Sequence, residues 1–359
     1  MIEVFENLFK LSTRDTSYIF SITDEGHAEH IYYGKKIPDT DVKALRLKNT
    51  IMLGTTVDYQ GDKVGYSLDT TPLEYSGIGK GDFRHSPIEV IMPDGSFVTD
   101  FVYEGHTITP GALESVDSGL PYAIGEGETL HLTLRDKKYN GVTLTLHYTV
   151  FEDCNVIARC VTLSNGGEGS VYLRKLMSFM IDLPTADYKL LTLDGGWAKE
   201  AHIHEREVSY GILVNDSTTG GSSNRHNPAF LLKAKGADEE RGEIYGFNLI
   251  YSGNHYSAVE KGNHDTLRVM SGINPHCFLW KLSKGERFST PQAVMSYSDG
   301  GINAFSANMH DFVNHHIVRP DFQKTERPIV VNNWEATFFH FNRRKLLALA
   351  SRLNTSVAK

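Results

Sequence analysis

Cysteine is scarce in this chain, long apolar runs are missing, and positive charge is nowhere concentrated. The three cysteines, Cys154, Cys160 and Cys277, are an odd number without the spacing of a metal site. Cys154 and Cys160 lie in an apolar stretch and read as core residues, which suits a reducing compartment. No stretch approaches the length of a membrane span, and the acidic start MIEVFENLFKLST lacks the apolar centre of a signal peptide. A net charge of −8 and the lack of any basic run argue against nucleic acid or an anionic membrane as partner. The expectation is a soluble, cytoplasmic protein, and no motif asks for a cofactor.

What fills the chain instead is period-two alternation. Residues 17–22 and 29–33 flank a turn at 24–26, and residues 88–91 and 97–103 flank Pro93-Asp94-Gly95, which predicts a hairpin. Residues 129–135 and 142–150 flank Asn140-Gly141, and the second of them, VTLTLHYTV, alternates cleanly. Further strands are expected at 156–164, 171–182, 200–210, 229–233, 243–251, 255–261, 267–273, 277–282 and 292–297. Residues 44–47 resist assignment, and Gly195-Gly196-Trp197 interrupts the alternation. The pattern predicts a mainly β chain with one large antiparallel β-sandwich over residues 1–300.

The period changes at Gly301. Phe305, Met309, Phe312 and Val313 stand at near-helical spacing, so a helical linker is expected over residues 301–326. Beyond it, Pro328 precedes the apolar run Ile329-Val330-Val331, which suits a buried strand of a parallel sheet. Residues 343–353 carry strong helix formers and an apolar face of Leu346, Leu349, Ala350 and Leu353. Residues 327–359 thus predict one β–α unit.

The chemistry gathers in residues 68–84, LDTTPLEYSGIGKGDFR. Pro72, Gly77, Gly79 and Gly81 rule out a regular period, and glycines let the backbone turn tightly. Asp69, Glu74, Asp82 and Arg84 stand among Tyr75, Ile78 and Phe83, a mixture that suits a polyhydroxylated ligand or a neighbouring subunit. The competing reading is a packed connection whose polar groups satisfy one another. His202 and His204 alternate on an expected strand and point the same way, but no third ligand is evident, so no metal site is expected. His315 and His316 read as solvated.

Three stretches, LDTTPLEYSGIGKGDFR, LDGGWAKE (193–200) and RPIVVNNWEATFF (327–339), together resemble the retaining alpha-galactosidases of glycoside hydrolase family thirty-six. The resemblance spans essentially the whole chain. It implies an N-terminal supersandwich, a helical linker and an incomplete (β/α)8 barrel represented by its first strand and helix, since a complete barrel needs roughly 250 residues. The family's nucleophile and its acid/base aspartate belong to the fourth and sixth barrel strands, which would lie past Lys359, so no catalytic residue is expected here. Lys80-Gly81-Asp82 has the spacing of the nucleophile motif but sits in a loop, and reads as a decoy. The resemblance further implies substrate-binding roles for Asp69, Arg84, Trp197 and Trp334. It points to alpha-galactosides of the melibiose and raffinose type as substrates of a longer, homo-oligomeric parent. A stand-alone carbohydrate-binding sandwich and an assembly module are the alternatives.

Overall fold

Three antiparallel sheets carry the chain, as a computed structural model describes it for residues 1–38, 42–47, 57–61, 64–114, 119–223, 225–262 and 264–357. Two compact units result, Met1–Val318 and Arg319–Lys359. The first sheet is a meander of Ile2–Phe5, Leu8–Ser12, Thr16–Ile22 and Ala28–Lys35. The second runs Gly211–Asp216, His255–Lys261, Leu267–Ile273, Val171–Leu183 and Trp280–Leu282, with Ile88–Ile91 also paired to Val171–Leu183. The largest begins at the edge hairpin Lys199–Glu207 and Tyr188–Gly196. It continues through His226–Ala234, Ile244–Leu249, Ala293–Ser298, Val156–Asn165, Val142–Phe151, Glu128–Asp136 and Phe101–Pro110. No helix among the described residues is long and apolar enough to cross a membrane.

Both smaller sheets pack on one face of the largest. Phe179 of the second sheet stacks on Phe247 of the largest with centroids 5.2 Å apart, and Phe20 of the first stacks on Tyr148 at 5.4 Å. The alternation of Val142–Phe151 sends Leu144, Leu146 and Tyr148 into this interior, all fully buried. Val156–Asn165 is buried on both faces. Ile157 joins the main core, while Val156 and Ala158 face the helix Gly301–Phe312, whose Phe312 packs on Phe151. That helix lies so close to the sheet that a Cβ on Gly246 would meet the Phe305 ring at 2.0 Å. A π-helical turn, Val313–Ile317, follows it within the first unit.

Several local expectations are corrected. The Pro93-Asp94-Gly95 turn forms, with Gly95 donating to the Met92 carbonyl at 2.8 Å, but its flanks belong to different sheets. A turn fixes a bend and not the partner of the strand that leaves it. The Asn140-Gly141 hairpin does pair as expected. Residues 194–196 do not end the strand, since Tyr188–Gly196 runs through them to a tip at Trp197-Ala198, but the pairing register shifts there on both sides. The N-terminal hairpin went unread because its turn uses Glu6 at φ 55 instead of glycine. Residues 42–45 form a short 3-10 helix. In the second unit the helix Arg343–Val357 is present, but residues 329–331 form no strand, and Val330 is 83% exposed. A strand exists only by pairing, and no described residue pairs with these.

One polar hub crosses all three sheets. Glu74 is fully buried; Tyr18 donates to it at 2.7 and 2.8 Å, Tyr148 at 2.6 Å, and His30 Nδ1 lies 2.7 Å away. Arg159 sits 3.4 Å from the Glu74 carboxylate and donates to both tyrosine hydroxyls at 3.0 Å and to the Met180 carbonyl at 2.8 Å. Burial works to raise the Glu74 carboxyl, yet Arg159 and His30 outweigh it and hold it below its ordinary range. Removing one partner strands the other charge in a dry core. Arg159→Met should therefore lower stability by about 3–5 kcal/mol, read from the urea midpoint. Adding Glu74→Gln should restore part of the loss. A single-variant loss below about 1 kcal/mol would show that the hub does not carry the core.

Candidate functional site

Residues 68–84 are fastened to the sandwich at both ends of the loop. Near its start the chain runs beside Ala28–Lys35. His30 donates to the Pro72 carbonyl at 3.1 Å, and Glu74 donates to that of Ala28 at 2.9 Å. Tyr75 then reaches under the second sheet and donates to the Met177 carbonyl at 2.8 Å. Further on, Ile78 accepts from Thr99 at 3.0 Å.

Arg84 and Asp82 close the loop through a second buried charge cluster. Arg84 donates to Asp82 at 2.8 and 3.0 Å, to Asp182 at 3.1 Å, and to the carbonyls of Leu68 and Thr71 at 2.7 and 2.9 Å. Arg268, also buried, donates to Asp182 at 2.8 and 2.9 Å and to Asp82 at 2.9 Å. Asp182 accepts in addition from the Leu73 amide at 2.9 Å. Burial pushes both carboxyls up, but the Arg268 and Arg84 guanidiniums win and hold both below the usual carboxylate range. Carboxylates fixed in the ionised state and cut off from solvent can neither donate a proton nor reach a substrate.

The expected site residues fall into separate places. Asp69 and Arg84 share the loop, where Arg84 is a fastening. Asp69 is 6% exposed; one oxygen accepts from the Phe83 amide at 3.2 Å and the other lies 3.7 Å from His264 Nε2. Phe83 beside them is 72% exposed. Trp197 stands at the hairpin tip of the largest sheet, 90% exposed and without a hydrogen bond to the loop among the described residues. Trp334 belongs to the second unit, at the start of the helix Trp334–Thr337. The sequence reading passed over Arg268 and Asp182, and nothing local marks them, since their partners lie about a hundred positions away in the chain or more. It also passed over Trp280.

Metal donors gather elsewhere than at His202 and His204, which are exposed on the edge strand. Asp153, Cys154 and His316 bring one donor atom each within 4.8 Å of one another. His316 is buried and not solvated as expected; its Nδ1 donates to the Ile124 carbonyl at 2.9 Å and its Nε2 lies 3.1 Å from Asp153. Burial, reinforced by Asp153, pushes the Cys154 thiol up. An acid-lined cavity of about 700 Å³ opens beside them. Three of its carboxylates have partners: the Met1 ammonium is 3.6 Å from Glu128 and 3.8 Å from Glu152, and His316 Nε2 faces Asp153.

The cluster around Asp82 and Asp182 sets a pH dependence. A carboxyl whose folded-state pKa is depressed stabilises the fold above the unfolded value of about 3.9, and that stability fades as pH falls below it. Asp182→Asn should therefore lower the urea midpoint at neutral pH, and the gap from the parent chain should narrow as pH drops below about 4. A gap constant across that window would contradict the assignment.

Comparison with known proteins agrees with this geometry. The model of the Glycosyl hydrolase family 36 N-terminal domain matches residues 26–283, and the Melibiase model matches residues 287–357. Alpha-galactosidase AgaA of Geobacillus stearothermophilus is 38% identical over 346 residues, covering 95% of this chain and 47% of its own length. The crystal structure of the alpha-galactosidase from Lactobacillus brevis superposes with a TM-score of 0.94 at 33% identity, over 98% of this chain and 48% of that one. A variant of AgaA in complex with raffinose superposes with a TM-score of 0.90 at 38% identity, over 96% of this chain and 48% of that one. The chain spans about half the length of the relatives it matches. Sandwich topology, loop and family models converge: the chain belongs to glycosyl hydrolase family 36.

Proposed function

We propose that this chain is the N-terminal portion of a retaining alpha-galactosidase acting on terminal alpha-galactosides of the raffinose and melibiose type, and that it does not cleave them by itself. The observation that carries the reading is a mismatch. The fold follows the alpha-galactosidase structure from Lactobacillus brevis over 98% of its residues at a TM-score of 0.94, yet its buried carboxyl pair, Asp82 and Asp182, is unfit for the reaction. Retention needs one ionised nucleophile and one protonated acid about 5 Å apart on either side of the glycosidic bond. Asp82 and Asp182 are both held ionised, both dry, and both bound to the same guanidiniums. This also answers the Lys80-Gly81-Asp82 decoy.

The sandwich's contribution would be to complete the substrate pocket and to assemble copies. Trp197 suits the first task. An indole at the tip of a two-stranded ribbon offers an apolar ring to the apolar face of a sugar, in its own pocket or a neighbouring copy's. Asp69 and Phe83 suit a rim contact, with Arg84 holding the loop that presents them. Homo-oligomerisation and a cytoplasmic location are part of the same proposal, the location supported by three cysteines that form no disulfide.

Purified chain should release no nitrophenol from a chromogenic alpha-galactoside, against a longer family member as control. In the longer parent, Trp197→Ala should raise KM for raffinose several-fold with the fold intact. Turnover by the chain approaching the control's would overturn the reading. So would a KM unchanged by Trp197→Ala, as far as the hairpin is concerned.

A further inference from the structure

Three connections meet at one end of the sandwich and frame a cavity of about 620 Å³. Tyr251 and Asn254 come from the turn between Ile244–Leu249 and His255–Lys261. His276 and Phe278 come from the segment before Trp280–Leu282. Phe288 comes from Arg287–Ser289. Its size falls within the roughly 300–1,000 Å³ of small-molecule sites.

The aromatic rings are braced against each other and not buried. Trp280 and Phe288 meet with centroids 5.4 Å apart at 57°, and Phe278 and Phe288 meet at 5.7 Å and 65°. Trp280 nevertheless stays 50% exposed. On the far wall the Tyr251 ring folds over Gly253 so closely that a Cβ there would lie 2.4 Å from it. Rings fixed by edge contacts keep their orientation without a ligand, so little rotamer freedom remains to be lost on binding.

Some of the polar groups around these rings are uncommitted, while Asn274, Ser289 and Arg287, which also line the cavity, have partners. Asn254 Oδ1 accepts from the Gly220 amide at 2.8 Å, and its amide nitrogen has no partner among the described residues. The Tyr251 hydroxyl, the His276 ring and the Trp280 indole N–H likewise have no hydrogen-bond partner there. Among the described residues no carboxylate lines the cavity, and the guanidinium that does, Arg287, is already engaged. Flat apolar rings interleaved with unpaired amide, hydroxyl and N–H groups match a pyranose, which has an apolar C–H face and a rim of hydroxyls. An apolar peptide would cover the rings and strand the polar groups without partners.

We propose that this cavity is an ancillary binding site for a short neutral oligosaccharide, with Trp280 as its stacking platform. It is separate from the hairpin at Trp197: Trp280 belongs to the second sheet, whereas the hairpin is the outer edge of the largest. It also stands apart from the catalytic reading, since holding a sugar here requires no cleavage.

The test is saturation-transfer NMR and a tryptophan-fluorescence titration of the intact chain with raffinose as probe. Weak, saturable binding is expected. Trp280→Ala should weaken it about tenfold, and Asn254→Ala should weaken it less. Circular dichroism checks that each variant is folded. Sedimentation reports its mass. Absence of raffinose binding would overturn the proposal. So would binding lost with Trp197→Ala and kept with Trp280→Ala, which would move the sugar to the hairpin. A Trp280→Ala variant that changes mass but binds raffinose normally would make the cavity a contact between copies and also overturn it. No hydrolysis is read, so failure here leaves the alpha-galactosidase proposal standing, and the reverse.

Discussion

The arginine–glutamate contact at the centre of the sandwich is the constraint on which the other packing depends. Glu74 arrives from a loop, Tyr18 and His30 from the smallest sheet, Tyr148 and Arg159 from the largest, and the Met180 carbonyl from the remaining one. Apolar packing resists large shifts of a sheet, but its contacts are individually non-directional and can partly re-form after a small adjustment. Charged hydrogen bonds with fixed lengths and angles do not tolerate that. The desolvation cost of putting a carboxylate and a guanidinium in the interior is substantial, and their attraction repays it only in good geometry. The hub therefore sets how the sheets register more than how firmly they adhere.

Much of this architecture could be read from period-two alternation, because strands with one wet face announce themselves. Glu128–Asp136 is the clear case, its buried Leu130, Leu132 and Leu134 alternating with half-buried His131, Thr133 and Arg135. Where both faces are covered, as in Val156–Asn165, the alternation fades into a continuous apolar run. Turn residues were a weaker guide. Asn140-Gly141 joins two paired strands, while Pro93-Asp94-Gly95 separates two sheets, and no local feature distinguishes them. Pairing is decided by long-range packing, which short sequence windows do not contain.

The loop at residues 68–84 has a different lesson. Its mixture of acids, arginine and aromatics carried the family resemblance and invited a ligand-facing reading. Most of those groups point inward: Glu74 to the hub, Asp82 and Arg84 to Arg268 and Asp182. Composition cannot say which way a carboxylate points, because a buried ion network and a sugar site use the same residues. Phe83 alone of that group is largely exposed, and Asp69 beneath it is buried with its carboxylate on the Phe83 amide. Trp280 went unnoticed for the opposite reason. It sits in a short apolar strand signal, and only the structure leaves its indole half uncovered.

The edge hairpin of the largest sheet has one strand, Lys199–Glu207, with every residue exposed. Such a strand contributes almost nothing to the interior, so selection on folding hardly constrains its side chains. Its charges, Lys199, Glu200, Glu205, Arg206 and Glu207, keep an open edge from recruiting foreign strands. Mutational drift is therefore cheap there, and the residue carried at the tip can be exchanged, lengthened in reach or lost without putting the rest of the molecule at risk. A lineage could retune what this ribbon touches faster than it could alter any other part of the sandwich.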